Sequence, residues 1–262
     1  MGLLHIIILG LTQGLTEFLP ISSSGHLVVA RLLFNIPDVD GTFLDAFLHL
    51  GTLLAVLTYY YRVWIGMFRG MFVRDQEGND KRDLLLKIVL ATIPAAVVGY
   101  LMQDVVSDAF RSAQAVAIGL LFTAVALLVG DYFHTRAHKT HRASLKEAFL
   151  IGVSQVLALV PGVSRSGATV AAGRAAGLTR TQAINFSFLL SVPIIAGAGL
   201  GTAPALLQGG QYPSAILLAG FLTSFLSGLA AISFFVRISQ RMSFTPFAVY
   251  LVVLSCLLFV LY

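Results

Sequence analysis

Pro20-Ile21-Ser22-Ser23-Ser24-Gly25 and Pro161-Gly162-Val163-Ser164-Arg165-Ser166-Gly167 each interrupt an otherwise apolar segment, Leu3 to Leu33 in the first case and Leu145 to Leu178 in the second. Lipid cannot hydrogen-bond a free N–H or C=O group. Non-helical backbone at membrane depth therefore survives only inside protein or beside a water-filled cavity. Helix, break, helix thus reads as a re-entrant hairpin, which enters the bilayer and leaves by the same face.

Outward from the two breaks, six segments are apolar over nearly the twenty residues that a span needs. They run from Phe43 to Tyr61, Leu84 to Met102, Ala113 to Phe133, Asn185 to Gly201, Ala215 to Phe235 and Pro246 to Tyr262. The composition agrees. The 262 residues are 57% hydrophobic and 11% charged, against about 25% charged in a soluble domain. So few charges cannot cover a water-facing surface, and membrane lipids must cover much of this one. The N-terminus is apolar but lacks a basic leader region and holds Glu17, so it reads as mature structure. Cys256 is the only cysteine, which excludes an internal disulfide and a cysteine-ligated zinc site. The sequence predicts an all-α membrane protein, one domain over 1–262, with six transmembrane helices plus two re-entrant helical hairpins.

The net charge is +5, and the basic residues sit in short loops. That distribution reads as membrane orientation, with no nucleic acid bound. Six Lys and Arg lie between Arg62 and Lys87, four between Arg136 and Lys146, and Arg237 and Arg241 follow Phe235. With these stretches in the cytoplasm every span alternates. The stretches Ile36 to Thr42, Gln103 to Ser112 and Thr202 to Ser214 then face outward, as do both termini, and hold only Arg111. The first hairpin enters from outside and the second from the cytoplasm. An internal match supports that opposition. At an offset of 142, Gly10-Leu11-Thr12-Gln13 aligns with Gly152-Val153-Ser154-Gln155, and Leu15, Ser22, Ser24 and Gly25 align with Leu157, Ser164, Ser166 and Gly167. The halves 1–133 and 145–262 are therefore expected to be inverted-topology repeats, with a site at their interface near the midplane.

The hairpins also concentrate the chemistry. Gln13 and Glu17 are one helical turn apart and share a face. A carboxylate at bilayer depth costs about 2.5–3.5 kcal/mol, so Glu17 either meets a cation, a proton or water, or reaches the outer interface. Ser22, Ser23, Ser24 and Gly25 open the second helix and are followed by His26. One serine suffices for an N-cap, and a helix start attracts anions. In the second hairpin Arg165 needs a carboxylate or phosphate to be tolerated, or it snorkels to the inner interface. Ser164, Ser166 and Thr169 supply hydroxyls, and Gly162 and Gly167 allow backbone to approach a ligand closely. Together these are the parts of a phosphate cradle. Asp45 and His49, one turn apart, either support the site or sit at the interface. Arg174 and Arg180 read as polar-turn residues, and His134, His138 and His141 as a solvated loop rather than a metal site.

Gln13, Glu17, Pro20, Ser22, Ser23, Gly25 and His26, with Pro161, Gly162, Ser164, Arg165, Ser166 and Thr169, resemble the two signatures of the undecaprenyl-diphosphate phosphatase family, the integral membrane type linked to bacitracin resistance. Length, span number and repeat layout agree, so the resemblance covers the whole chain. Gln13 stands where many members of that family have glutamate.

The resemblance implies hydrolysis of undecaprenyl diphosphate to the monophosphate carrier that cell-wall synthesis reuses. It implies a multi-pass protein of the bacterial inner membrane, a site open to the outer face, and a divalent cation, Mg²⁺ or Ca²⁺. In that reading Glu17, Ser23, His26 and Arg165 are catalytic, and Gln13, Ser22, Ser164, Ser166 and Thr169 bind substrate. Arg165 neutralises phosphate oxygens, and Glu17 holds the cation through the diphosphate or activates a nucleophile. The nucleophile is Ser23 with His26 as its base, His26 itself, or water. The polyprenyl diphosphate lipid is the partner, its tail in an apolar groove, and a homodimer is left open. The rival expectation is a transporter or flippase of polyprenyl phosphate, since paired broken helices in inverted repeats are also a transporter layout.

Overall fold

A computed structural model describes residues 2–37, 41–102, 112–137, 143–207, 212–239 and 241–262. Arg111, His138 and His141 lie outside the described residues, as does the His134 side chain. Among the described residues there are helices and no strands. In chain order they are α1 (Leu3–Glu17), α2 (Ser23–Phe34), α3 (Gly41–Tyr59), α4 (Tyr61–Gly70), α5 (Gln76–Leu101), α6 (Ala113–Ala137), α7 (Leu145–Val156), a 3₁₀ turn (Leu157–Leu159), α8 (Arg165–Ala175), α9 (Arg180–Leu207), α10 (Ser214–Ile238) and α11 (Thr245–Leu261).

By length and composition α5, α6, α9 and α10 can each cross a membrane. The first expected span differs: α3 ends at Tyr59, and the chain bends by 70° into α4. The last keeps its expected length, with α11 of 17 residues rising about 25 Å. The stretch from Arg62 to Lys87, expected as a loop, is mostly helical. It comprises α4 and the first turns of α5, which is capped by Asp75, whose side chain accepts from the Gly78 N–H at 2.7 Å. On the outer helices Leu218, Leu222 and Leu226 of α10, and Val249, Val253 and Val260 of α11, are exposed in stripes. A stripe of that kind faces lipid.

The breaks fall where proline and serine dictate. α1 stops at Glu17, and Phe18 turns its ring, fully buried, edge-on to Phe188 of α9 at 5.2 Å. The two second arms start with the same device. Ser22 Oγ accepts from Gly25 N–H at 3.3 Å, and Ser164 Oγ accepts from Gly167 N–H at 3.0 Å. Each capping hydroxyl also lies beside the serine two residues on, Ser24 at 3.2 Å and Ser166 at 3.1 Å.

Within lipid, helices associate through small residues that let backbones approach. α1 packs on α10 and α3, and α7 on α5 and α8. A Cβ at Gly152 of α7 would lie 2.3 Å from the Ala91 carbonyl oxygen of α5. Gly162 has φ +87°, and a Cβ there would lie 2.3 Å from the Val116 oxygen of α6. A Cβ at Gly167 would lie 2.6 Å from Thr123 Cγ2. Gly162 and Gly167 therefore serve close packing on α6, and the expectation that they make room for a ligand is corrected.

Arg174 and Arg180 are more than polar-turn residues. Arg174 Nε donates to Asp131 Oδ1 at 2.9 Å, and Arg180 Nη2 to Asp131 Oδ2 at 3.1 Å. Arg174 Nη1 also donates to the Leu178 carbonyl at 2.9 Å. One carboxylate on α6 thus ties down the end of α8 and the start of α9.

Candidate active site

The tips of the two hairpins meet. Ser166 Oγ, at the start of α8, donates to the Leu19 carbonyl in the first break at 2.8 Å. The same carbonyl accepts from the Ile21 N–H at 2.8 Å, so the second hairpin adds a bond to a turn that the first has already closed.

Glu17 lies at this junction, 7% exposed, and every one of its close partners carries a proton or a positive charge. Arg165 Nη2 donates to Oε1 at 2.5 Å. Oε2 accepts from Gln13 Nε2 at 3.0 Å and from Ser23 Oγ at 2.5 Å, and His49 Nε2 lies 3.3 Å away. Burying a carboxylate is tolerated only when its lone pairs are filled in this way. Arg165 has a second hold, from Nη1 to the Ser187 carbonyl at 3.3 Å, which aims the guanidinium from α8 towards the first hairpin.

His49 is the residue that sequence reasoning left between two roles. Its Nδ1 donates to the Asp45 carbonyl at 2.6 Å, which turns Nε2 to Glu17. Asp45 instead pairs with Arg31 at 2.5 Å. The signal for His49 was present in sequence, as a histidine towards the outer end of an apolar span, but its partner is 32 positions away in another helix.

The Ser23 hydroxyl is not hydrogen-bonded to His26, the base expected for it. It donates to Glu17, while His26 Nδ1 donates to the Ser22 carbonyl at 2.8 Å, leaving Nε2 to accept from the Tyr250 hydroxyl at 2.7 Å. The carbonyl can only accept, so it fixes that tautomer. Tyr250 of α11 also stacks on the imidazole, with centroids 5.6 Å apart. Nothing in the spacing of the sequence announces this contact, because 224 residues separate the partners.

A cavity of about 210 Å³ opens on Glu17, Ser22, Ser23, Ser24, His49, Gln155, Ser164 and Arg165. Ala95, Leu159, Ile194, Ile195 and Ala198 give it an apolar wall. Gln13, His26, Ser166 and Thr169 are not among the residues that line it. Thr169 Oγ1 donates to the Arg165 carbonyl at 2.8 Å and lies 2.7 Å from Ser187 Oγ, so it fixes α8 on α9. Ser164 lines the cavity through its cap, and its N–H donates to Thr123 Oγ1 at 2.9 Å.

Among the described residues no group of three His, Cys, Asp or Glu could by itself hold a metal. The site does offer one carboxylate, Glu17, and beside it Gln13, whose Oε1 is buried without a hydrogen-bond partner. A hard cation such as Mg²⁺ or Ca²⁺ accepts carboxylate and amide oxygens, and Mg²⁺ commonly rides on substrate phosphates with one or two carboxylates. The residues present fit that mode and do not form a cage.

Chemically, the arrangement joins a hydroxyl to a carboxylate that can take its proton, and sets a guanidinium fork and two capped helix starts around the same space. It can bind an oxyanion and direct a nucleophile at it.

The family model described as bacitracin resistance protein BacA matches residues 6–257. A protein named undecaprenyl-diphosphatase from Alcanivorax borkumensis is 42% identical over 252 residues, covering 95% of each chain. One of the same name from Rubrobacter xylanophilus is 42% identical over 264 residues, covering 97% of this chain and 96% of its own. A third, from Geotalea daltonii, is 40% identical over 264 residues, with 98% and 97% covered. With a match running through both hairpins and all the long apolar helices, this multi-pass membrane protein belongs to the bacitracin resistance protein BacA family.

Proposed function

We propose that the protein hydrolyses undecaprenyl diphosphate to undecaprenyl phosphate and inorganic phosphate, returning the lipid carrier to cell-wall synthesis. One observation carries the reading: Ser23 and Arg165, from different hairpins, are held by the two oxygens of a single buried carboxylate, Glu17. Transport alone does not require a hydroxyl placed on a carboxylate.

The terminal phosphate enters the cavity beside Arg165, whose guanidinium is shared between Glu17 and phosphate oxygens. Glu17 takes the proton of Ser23 as Oγ attacks the terminal phosphorus. The bond from phosphorus to the bridging oxygen breaks, and the lipid monophosphate leaves. Water then attacks the phosphoserine, the P–Oγ bond breaks, Glu17 returns the proton to Ser23, and the water's protons leave with the inorganic phosphate. Such transfers are catalysed by positioning and charge neutralisation, which Arg165 and the N–H groups at the starts of α2 and α8 supply. A divalent cation on the diphosphate would be held by Glu17 and Gln13 Oε1 and would neutralise phosphate charge. The imidazole of His26, fixed by Ser22 and Tyr250, orients the start of α2. The wall of Leu159, Ile194 and Ile195 takes the first isoprene units.

The finer topology belongs to the same reading. Residues 1–133 and 145–262 form the two inverted repeats, each with one re-entrant hairpin and three spans. The matched serine caps support it, as does packing that repeats: α1 lies on α10 as α7 lies on α5, while α3 meets α9 and α6 meets α11. The basic stretches put both termini on the outer side of a bacterial inner membrane.

Purified protein in detergent, given farnesyl or undecaprenyl diphosphate and Mg²⁺ or Ca²⁺, should release phosphate. Soluble pyrophosphate should be a poor substrate, because it forgoes the apolar wall. Absence of phosphate release from every prenyl diphosphate, with movement of labelled prenyl phosphate across liposomes, would replace the enzyme with a transporter.

A further inference from the structure

Gln155 is a polar residue of the cavity that the reaction above leaves unused, and among the lining residues it is the one whose side-chain polar atoms are buried without a partner. It sits in the last turn of α7, is 2% exposed, and lines the same cavity as Glu17, Ser23 and Arg165. Neither its Oε1 nor its Nε2 has a hydrogen-bond partner among the described residues. An amide offers two donors and two acceptor sites, and burying them unmet opposes folding. Because both atoms are unmet, the conclusion is the same whichever way the amide is turned.

The internal match sharpens the point. Gln155 aligns with Gln13 at the offset of 142. In the first hairpin Gln13 Nε2 donates to a carboxylate one turn further on, Glu17. In the second hairpin the residue one turn on from Gln155 is Leu159. The donor is kept and the protein's own anion is missing, so an anion that completes this half arrives with the ligand.

We propose that Gln155 is a substrate-contacting residue, its side-chain amide donating from Nε2 to a phosphate oxygen of the bound diphosphate. This rests on the diphosphate reading of the cavity. The contact forms with the headgroup whatever the length of the prenyl chain, and it is made in ground state and transition state alike. It therefore acts on affinity more than on turnover.

The test compares wild type with Gln155→Met, which keeps the length and removes the hydrogen bonds. The probe is a prenyl methylenebisphosphonate, which cannot be hydrolysed at the bridge. Without probe, Gln155→Met should melt at or above the wild-type temperature, since an unmet buried amide has gone. With probe, its Kd should rise roughly tenfold, the loss of one hydrogen bond to a charged group. The KM for farnesyl diphosphate should rise similarly, with kcat within about threefold. Gln155→Glu should bind more weakly still. If Gln155→Met does not fold, Gln155→Asn shortens the reach by one methylene and carries the same comparison. Equal Kd for wild type and variant overturns the proposal. Wild type that binds the probe through Gln155 but releases no phosphate overturns the hydrolase reading and leaves this one standing. Wild type that does not bind the probe overturns both.

Discussion

Arg165 Nη2 donates to Glu17 Oε1 at 2.5 Å, linking a residue of α8 to one of α1 across 148 positions of chain. This pair holds the hairpins in register and keeps a guanidinium beside the cavity before a phosphate enters. Arg165→Ala should lower kcat/KM for a prenyl diphosphate by about 10²–10³, as removal of a preorganised charge donor does. Arg165→Lys keeps the charge and loses the planar fork, so it should recover only part of that loss. Steady-state phosphate release measures both. An Arg165→Ala enzyme with full turnover would end the assignment.

Ser23 Oγ donates to Glu17 Oε2 at 2.5 Å. Ser23→Ala and Glu17→Gln should each reduce phosphate release by about 10²–10⁴, the span seen when a base or its proton partner is lost. Because the two act as one unit, the double variant should be little worse than either single one. If water is the nucleophile, Ser23→Ala will keep most of its activity while Glu17→Gln will not.

Tyr250→Phe removes a hydroxyl from His26 Nε2 and leaves the ring stack in place. One hydrogen bond is worth about 1 kcal/mol net, so activity should fall about fivefold with little loss of stability. An unchanged rate would mean that His26 holds α2 through Ser22 alone.

Asp131 faces Arg174 and Arg180. Asp131→Ala leaves a buried guanidinium without its counter-charge, which should cost about 3 kcal/mol of stability. Thermal unfolding in detergent should show the drop, and turnover well below the transition should persist because the cavity is elsewhere.

The Gly152 position has no room for a side chain against Ala91. Gly152→Val should separate α7 from α5, cost about 1–3 kcal/mol, and lower activity by displacing the hairpin that carries Arg165. A variant that melts like wild type would mean that the two helices tolerate separation.

Much of this was legible in the sequence because apolar runs, proline breaks and serine caps act locally. The hairpin breaks and the helix starts at Ser22 and Ser164 could be anticipated from residue types and spacing, and the convergence of Glu17, Ser23 and Arg165 from the internal repeat together with the family resemblance. What was not legible depended on contacts between distant segments. Hydropathy does not show that the chain bends by 70° after Tyr59, nor that the basic stretch after Arg62 is helical. Spacing placed His26 within reach of Ser23, yet the Ser22 carbonyl and Tyr250 claim both of its nitrogens. Gly162 and Gly167 looked like space for a ligand because a glycine names no neighbour, and α6 fills that space.

The partners of Glu17 also arrive at very different times during synthesis. At 5–20 residues per second, the ribosome needs roughly 7–30 s to travel from Glu17 to Arg165, 148 positions later. Gln13 and Ser23 are made beside Glu17 and His49 follows within the first few seconds of that interval, so two hydrogen-bond donors and one imidazole attend the acid while the nascent first hairpin waits for its guanidinium.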